Sequence, residues 1–129
     1  MPALRDIQTE HDVRAVVDAF YGGIERDPWL GRFFEEVDMP EHLPKMYAFW
    51  SSVAFQTGTY RGRPFEPHAR LEGLTPYHFA RWLERFAATV DARFHGPRAE
   101  MMKARATQIA SIFQLKLGLW PQAGAGSGS

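Results

Sequence analysis

Apolar residues recur every three or four positions in four long stretches of the chain, and this spacing predicts four amphipathic helices. The first begins after Thr9, because a threonine with an acidic residue three positions later is typical of a capped helix start. A second helix is predicted over about residues 41–56. No stretch alternates convincingly with a period of two, so the predicted fold class is all-α.

The second half of the chain contains the other two predicted helices. Thr75-Pro76 marks the start of one of them, because a capping residue followed by proline is a common first turn. His95-Gly96-Pro97 ends that helix and starts the next, which is predicted over about residues 98–119.

Each predicted helix has one apolar face, and a short turn after Asp27-Pro28 adds a further apolar cluster. We expect these faces to point inward and to form one core. The apolar residues concerned are Val13, Val16, Val17, Phe20, Tyr21 and Ile24; Trp29, Leu30, Phe33 and Phe34; Leu43, Met46, Phe49, Trp50 and Val53; Phe79, Trp82, Leu83, Phe86, Val90 and Phe94; and Met101, Met102, Ile109, Ile112 and Phe113.

Two stretches show no helical period. Residues 57–73 are rich in glycine, proline and arginine, which predicts an ordered loop with little regular helix. Residues 122–129 are almost entirely glycine, alanine and serine, which predicts a flexible tail. We therefore expect one domain over residues 1–121, followed by that tail.

Composition narrows the possible functions. The 129 residues are 45% hydrophobic and 14% aromatic, so the core can line a flat apolar ligand as readily as fill itself. The formal net charge is zero, which gives no support to nucleic-acid or anionic membrane partners. Cysteine is absent, which excludes disulfides, thiolate catalysis and thiolate ligation of zinc or haem. Without a signal-like N-terminus or a membrane-length apolar run, a cytoplasmic protein is expected.

Histidines are then the main candidates for chemistry. His68 lies in a segment framed by Pro64 and Pro67, which restrict the backbone, so its imidazole is a candidate axial ligand beside an aromatic cavity. His42 shares the apolar face of its helix, although from the pattern alone a helix-end histidine bonded to backbone is the favoured interpretation. The other three histidines lie at helix ends or on the flanks of the apolar faces, where a solvated surface position is expected. They are His11, His78 and His95.

Several segments, in this order and spacing, resemble the third group of truncated (2-on-2) haemoglobins. The resemblance covers nearly all of the chain before its tail. The segments are Ala19–Tyr21, Asp27–Phe34, Glu41–Trp50, Gly58–Pro64, Pro67–His68, His78–Phe86 and Arg105–Ala110.

That resemblance implies two crossed helix pairs around a b-type haem, with the proximal helix reduced to an irregular segment. It implies that His68 is the proximal iron ligand and that Tyr21, His42 and Trp82 surround the distal ligand. It also implies porphyrin contacts from Phe34, Met46 and Phe49, and propionate pairing by one of Arg61, Arg63 and Arg70.

The sequence departs from that pattern at Gly22-Gly23, inside the first predicted helix. Two glycines there cost about 1.5–2 kcal/mol relative to alanine. Glycines beside the implied haem pocket would also leave space for larger substrates. An engineered variant of such a haemoglobin therefore remains an alternative to a natural one.

The resemblance favours binding of O₂, NO or CO at iron, with NO dioxygenation or peroxidase-like chemistry rather than O₂ transport. A separate reductase would supply electrons, and the chain is expected to be a monomer or a weak dimer. Three other interpretations remain open. They are an engineered catalyst that transfers carbene or oxene groups from the iron, a haem-free helical module that binds an apolar ligand, and a gas sensor or redox partner that signals to a separate protein by conformational change.

Overall fold

The computed structural model describes residues 3–57, 73–116 and 118, and regular structure within them is entirely helical. This confirms the all-α prediction. The helices are α1 (Glu10–Glu25), α2 (Met39–Phe55), α3 (Pro76–Asp91) and α4 (Pro97–Lys116), with a short 3-10 helix (Gly31–Phe34) between α1 and α2. None of the helices in these ranges is long and apolar enough to cross a membrane.

Local capping explains where the helices begin. Thr9 and Asp12 form a reciprocal capping box at α1, as the sequence predicts. Helix α2 begins at Met39, two residues earlier than predicted, because the Asp38 side chain accepts a hydrogen bond from the backbone N–H of Glu41 at 3.2 Å. A second capping box, between Thr75 and His78, starts α3.

The corner between α3 and α4 depends on a glycine. Gly96 has φ +151°, and a Cβ there would lie 2.6 Å from the Cβ of Asp6. The close approach lets the Asp6 carboxylate accept hydrogen bonds from the backbone N–H groups of Arg98 and Ala99, at 2.9 and 3.0 Å, which caps α4. The N-terminal segment is thereby attached to the last helix.

The four long helices form two crossed pairs. Helix α1 packs on α2 and α3 packs on α4, while α1–α3 and α2–α4 contacts join the pairs. Phe20 and Phe86 are almost fully buried where α1 meets α3, with ring centroids 5.1 Å apart in an edge-to-face contact. This arrangement leaves an aromatic-rich space between the pairs.

Three positions on the predicted inward faces belong neither to the core nor to the partly buried side chains packed against it. Trp29 is 49% exposed, because the turn after Asp27 directs Leu30 inward instead. Ile112 is 36% exposed and Met101 is only half-buried, because the inward face of α4 is carried by Met102, Ile109 and Phe113.

Candidate functional site

A cavity that opens to solvent lies between the two helix pairs. Its walls are mostly aromatic and aliphatic side chains contributed by all four long helices and the 3-10 turn. The described residues that line it are Tyr21, Leu30, Phe33, Phe34, Met46, Phe49, Trp50, Leu74, His78, Phe79, Trp82, Ile109, Ala110 and Phe113. Such a wall suits a large, flat, apolar ligand with a few polar contacts.

Tyr21 is the polar group of α1 at this cavity. Its ring is buried and meets the rings of Phe20, Phe34 and His42 edge-on, at 5.1, 5.9 and 5.1 Å. Burial raises the pKa of its hydroxyl, which therefore stays protonated as a donor. No described residue accepts a hydrogen bond from it, so this donor is free for a ligand.

His42 lies in the first turn of α2 and touches the Tyr21 ring, but it is not among the residues that line the cavity. Its Nε2 is buried without a hydrogen-bond partner. Burial, and to a smaller extent the charge of Lys45, lowers the pKa of the imidazole. The ring is therefore neutral, with an unused polar atom beside Tyr21.

Trp82 lines the cavity from α3, half-buried, with its indole plane 13° from that of Phe86 and the centroids 6.0 Å apart. Phe20 meets the same indole edge-on at 5.7 Å. These contacts hold the ring in one orientation. The indole N–H, which can only donate, has no acceptor in the described part of the chain.

The structure also places Phe34, Met46 and Phe49 in the cavity wall. The remaining predicted site residues, His68 together with Arg61, Arg63 and Arg70, lie outside the described residues. Gly22 and Gly23 do not line the cavity; the nearest groups to an added Cβ are the guanidinium groups of Arg26 and Arg85, at 3.9 and 3.8 Å. Their lack of side chains thus adds no described cavity space.

His78 is the cavity residue that sequence reasoning assigned to the surface. It is half-buried, and its ring meets that of Phe33 edge-on at 5.1 Å. The available signal was its position three residues after the capping Thr75, which turns the imidazole back over the start of α3. His78 can cap α3 and line the cavity at the same time, because its ring has two nitrogens and only Nδ1 bonds to Thr75.

A second polar group, Asp27, lies at the corner between α1 and the 3-10 turn. Its side chain is fully buried; one oxygen accepts from the backbone N–H groups of Trp29 and Leu30, at 2.7 and 3.0 Å. The other accepts from Nε of Arg81, at 2.8 Å, and from Nε of Arg85. These donors overcome the desolvation and lower the pKa of Asp27 to about 2. This cluster ties the corner to α3, which carries Trp82.

No group of three or more potential metal-ligating side chains occurs in the described residues. The cavity residues nevertheless fit a haem: the wall is apolar and aromatic, and it contains the Tyr21 hydroxyl and the Trp82 N–H, two donors without an acceptor in the described residues. His42 Nε2 adds a buried polar atom without a partner behind Tyr21.

Comparison with known proteins agrees with this architecture. The chain is 25% identical over 111 residues to the group 3 truncated hemoglobin ctb of Campylobacter jejuni, which covers 81% of this chain and 87% of that protein. The crystal structure of the group III truncated hemoglobin from Campylobacter jejuni matches with a TM-score of 0.77 at 25% identity, over 89% of this chain and 95% of that one. The two crossed helix pairs are thus the 2-on-2 fold of truncated globins. Residues 5–114 match the model of the bacterial-like globin family, and the chain belongs to that family.

Proposed function

We propose that this globin binds haem b in the cavity, with His68 as the proximal iron ligand, and reacts with O₂, NO or peroxide rather than transporting O₂. The observation that carries the proposal is an apolar, aromatic cavity with two hydrogen-bond donors that have no described acceptor, Tyr21 and Trp82. Donors in a cavity wall that have no acceptor within the described residues are suited to a ligand.

A haem in this cavity supplies iron with an open coordination position for a diatomic ligand or peroxide. The Tyr21 hydroxyl and the Trp82 N–H would then donate hydrogen bonds to a ligand atom that carries partial negative charge. Because the rings of Phe20 and Phe86 orient these two side chains, the donors need little rearrangement when the ligand arrives.

The strength of these bonds favours retention of the ligand. A hydrogen bond to a charged group contributes about 1.5–3 kcal/mol, so each donor slows ligand release by roughly tenfold or more. Slow release is unsuited to delivery of O₂ and allows time for a reaction in the cavity. This argument favours NO dioxygenation or peroxide chemistry over transport.

His42 has a different role in the proposal. Its lowered pKa keeps the imidazole neutral, and its buried Nε2 has no partner, so that nitrogen is available for a hydrogen bond through which a proton can pass. The edge contact with Tyr21 places it beside the donor hydroxyl. We infer that His42 exchanges protons with the distal side or controls entry there.

The proximal side of the proposal rests on residues outside the described ranges. His68 would hold the iron, and one of Arg61, Arg63 and Arg70 would pair with a propionate. On the described side, Phe34 would pack on the porphyrin face.

Absorption spectra of the purified full chain in the ferric, ferrous and ferrous–CO states test the haem and its ligand. We expect a Soret band that shifts with CO, and loss of stable haem binding or of the proximal iron–nitrogen bond in His68→Ala. The control is His95→Ala, which removes an exposed histidine and should leave the spectra unchanged.

Two results would overturn parts of the proposal. A normal five-coordinate ferrous histidine spectrum in His68→Ala would remove the assignment of the proximal ligand. Absence of any Soret band after supply of haem would favour the haem-free apolar-ligand module. Comparing turnover of NO with turnover of a diazo ester separates native-like chemistry from that of an engineered carbene-transfer catalyst.

A further inference from the structure

Arg32 carries a positive charge that has no partner in the described part of the chain. Its guanidinium carbon lies 4.0 Å from the ring centroid of Phe33, a cavity-wall residue. The same guanidinium packs against Gly73, where an added Cβ would lie 3.1 Å from Nη2. The side chain therefore packs against a residue of the cavity wall, and its N–H groups donate to no acceptor in residues 3–57, 73–116 and 118.

The acidic residues that follow Arg32 in the chain do not neutralise it. Glu35 and Glu36 are exposed, and neither forms an ion pair with Arg32. By contrast, Arg81 and Arg85 both bond to Asp27. An exposed arginine that packs on an aromatic ring and has no carboxylate partner among the described residues is suited to bind one.

His78 supplies a second donor at the same edge of the cavity. Its Nδ1 accepts a hydrogen bond from the backbone N–H of Thr75 at 3.0 Å, so the neutral ring carries its proton on Nε2. Both Arg32 and His78 contact the Phe33 ring. Burial and the charge of Arg32 lower the pKa of His78, which agrees with the proximity of the two groups.

We propose that Arg32 and His78 form a carboxylate-binding site at the edge of the cavity, where its wall meets solvent. The planar guanidinium presents paired N–H donors that match the two oxygens of a carboxylate, and His78 Nε2–H adds another donor. The carboxylate is either a haem propionate, which rests on the proposed function, or a small free carboxylate that enters the cavity mouth.

The first arm of the test measures transfer of haem from the loaded protein to excess apomyoglobin. Arg32→Gln should lose haem b about fivefold faster than the unchanged chain, the effect of removing one exposed ion pair. The same substitution should not change the loss of haem dimethyl ester, whose propionates are uncharged. This difference identifies the propionate as the ligand.

Two further variants make the comparison specific. Arg14→Gln is the matched control, because Arg14 is also an exposed arginine over an aromatic ring, 5.2 Å from the Tyr47 centroid, but not at the cavity. It should leave haem loss unchanged. His78→Glu should accelerate the loss of haem b more than that of its ester, since glutamate preserves the capping-box position but replaces the Nε2–H donor with an acceptor that repels a carboxylate.

The second arm titrates the full chain as purified with benzoate and follows the side-chain NMR signals of Arg32 and His78. Saturable shifts that disappear in Arg32→Gln, together with equal haem and ester loss rates in the first arm, would identify a free carboxylate as the ligand. If neither arm depends on Arg32, the site does not exist. A protein that shows no Soret band contradicts the proposed function, whereas a haem-loaded protein insensitive to Arg32 in both arms contradicts only this inference.

Discussion

The two polar clusters beside helix α3 differ in how fully their hydrogen bonds are satisfied. At the Asp27 cluster, both carboxylate oxygens accept two hydrogen bonds each, from the backbone and from two arginines. At the cavity, the Tyr21 hydroxyl and the Trp82 N–H have no described acceptor, and His42 Nε2 is buried without a partner.

That contrast separates a structural cluster from a ligand site. A buried charge is tolerated only when its partners replace the water it loses, and Asp27 meets that condition within the chain itself. The cavity donors do not, because the ligand that would satisfy them comes from outside. The Asp27 cluster holds the α1 corner against α3, and thereby fixes the helix from which Trp82 reaches the cavity.

Removal of Asp27 should have the largest effect on stability. We expect Asp27→Ala to lower the free energy of unfolding by about 3 kcal/mol, because it leaves two arginines unpaired and two backbone N–H groups without an acceptor. Urea unfolding measures this loss. Asp38→Ala is the control, since Asp38 caps α2 through one exposed hydrogen bond and should cost about 1 kcal/mol. Equal effects of the two substitutions would contradict the structural role of Asp27.

Acid should weaken the same cluster within a defined pH range. The pKa of Asp27 is lowered to about 2 in the folded chain, so its contribution to stability is present above about pH 4 and is lost as the pH falls towards 2. Hydrogen bonds from Arg5 likewise lower the pKa of Asp12, at the start of α1. Thermal unfolding in this range should be less sensitive to pH in Asp27→Asn than in the unchanged chain. An identical pH dependence would show that Asp27 titrates normally.

The smallest expected effect concerns the glycines of α1. A Cβ at Gly22 would make only an ordinary van der Waals contact, 3.9 Å from Nη2 of Arg26, so Gly22→Ala should raise the free energy of unfolding by up to about 1 kcal/mol. Because Gly22 is not in the cavity wall, CO binding kinetics should not change. The control is Gly31→Ala, where a Cβ would lie 2.7 Å from the backbone oxygen of Glu25, and the chain should be destabilised. Altered CO kinetics in Gly22→Ala would instead connect this glycine to the cavity.

Periodicity and capping predicted most of the helical framework, because both are local properties of the sequence. The Thr9 box and the Thr75-Pro76 start lie where the pattern placed them. The start of α2 was predicted two residues too late, because the prediction rested on apolar spacing and did not take the Asp38 cap into account. The prediction that Trp29 lies in the core was wrong. Its exposure depends on the turn after Asp27, which is held by Arg81 and Arg85 of α3, a helix distant in the sequence.

The site was less predictable, because a cavity is a property of the packed helices. The resemblance to truncated haemoglobins implied distal positions for Tyr21, His42 and Trp82, and in the structure these three residues belong to one aromatic cluster. The resemblance could not show that His78 lines the cavity or that Arg32, beside it, has no ion-pair partner within the described residues. The assignment of His68 stays a prediction that the spectra described above will test.

The central claim, that the cavity donors serve an iron ligand, is tested most directly by the rate of O₂ dissociation from the ferrous protein in Tyr21→Phe. The matched control is Tyr47→Phe, since the Tyr47 hydroxyl already donates to Asp18, away from the cavity. We expect O₂ to dissociate at least about tenfold faster in Tyr21→Phe, through loss of one hydrogen bond to a charged ligand, and at an unchanged rate in Tyr47→Phe. Equal dissociation rates in Tyr21→Phe and the unchanged chain would contradict the claim.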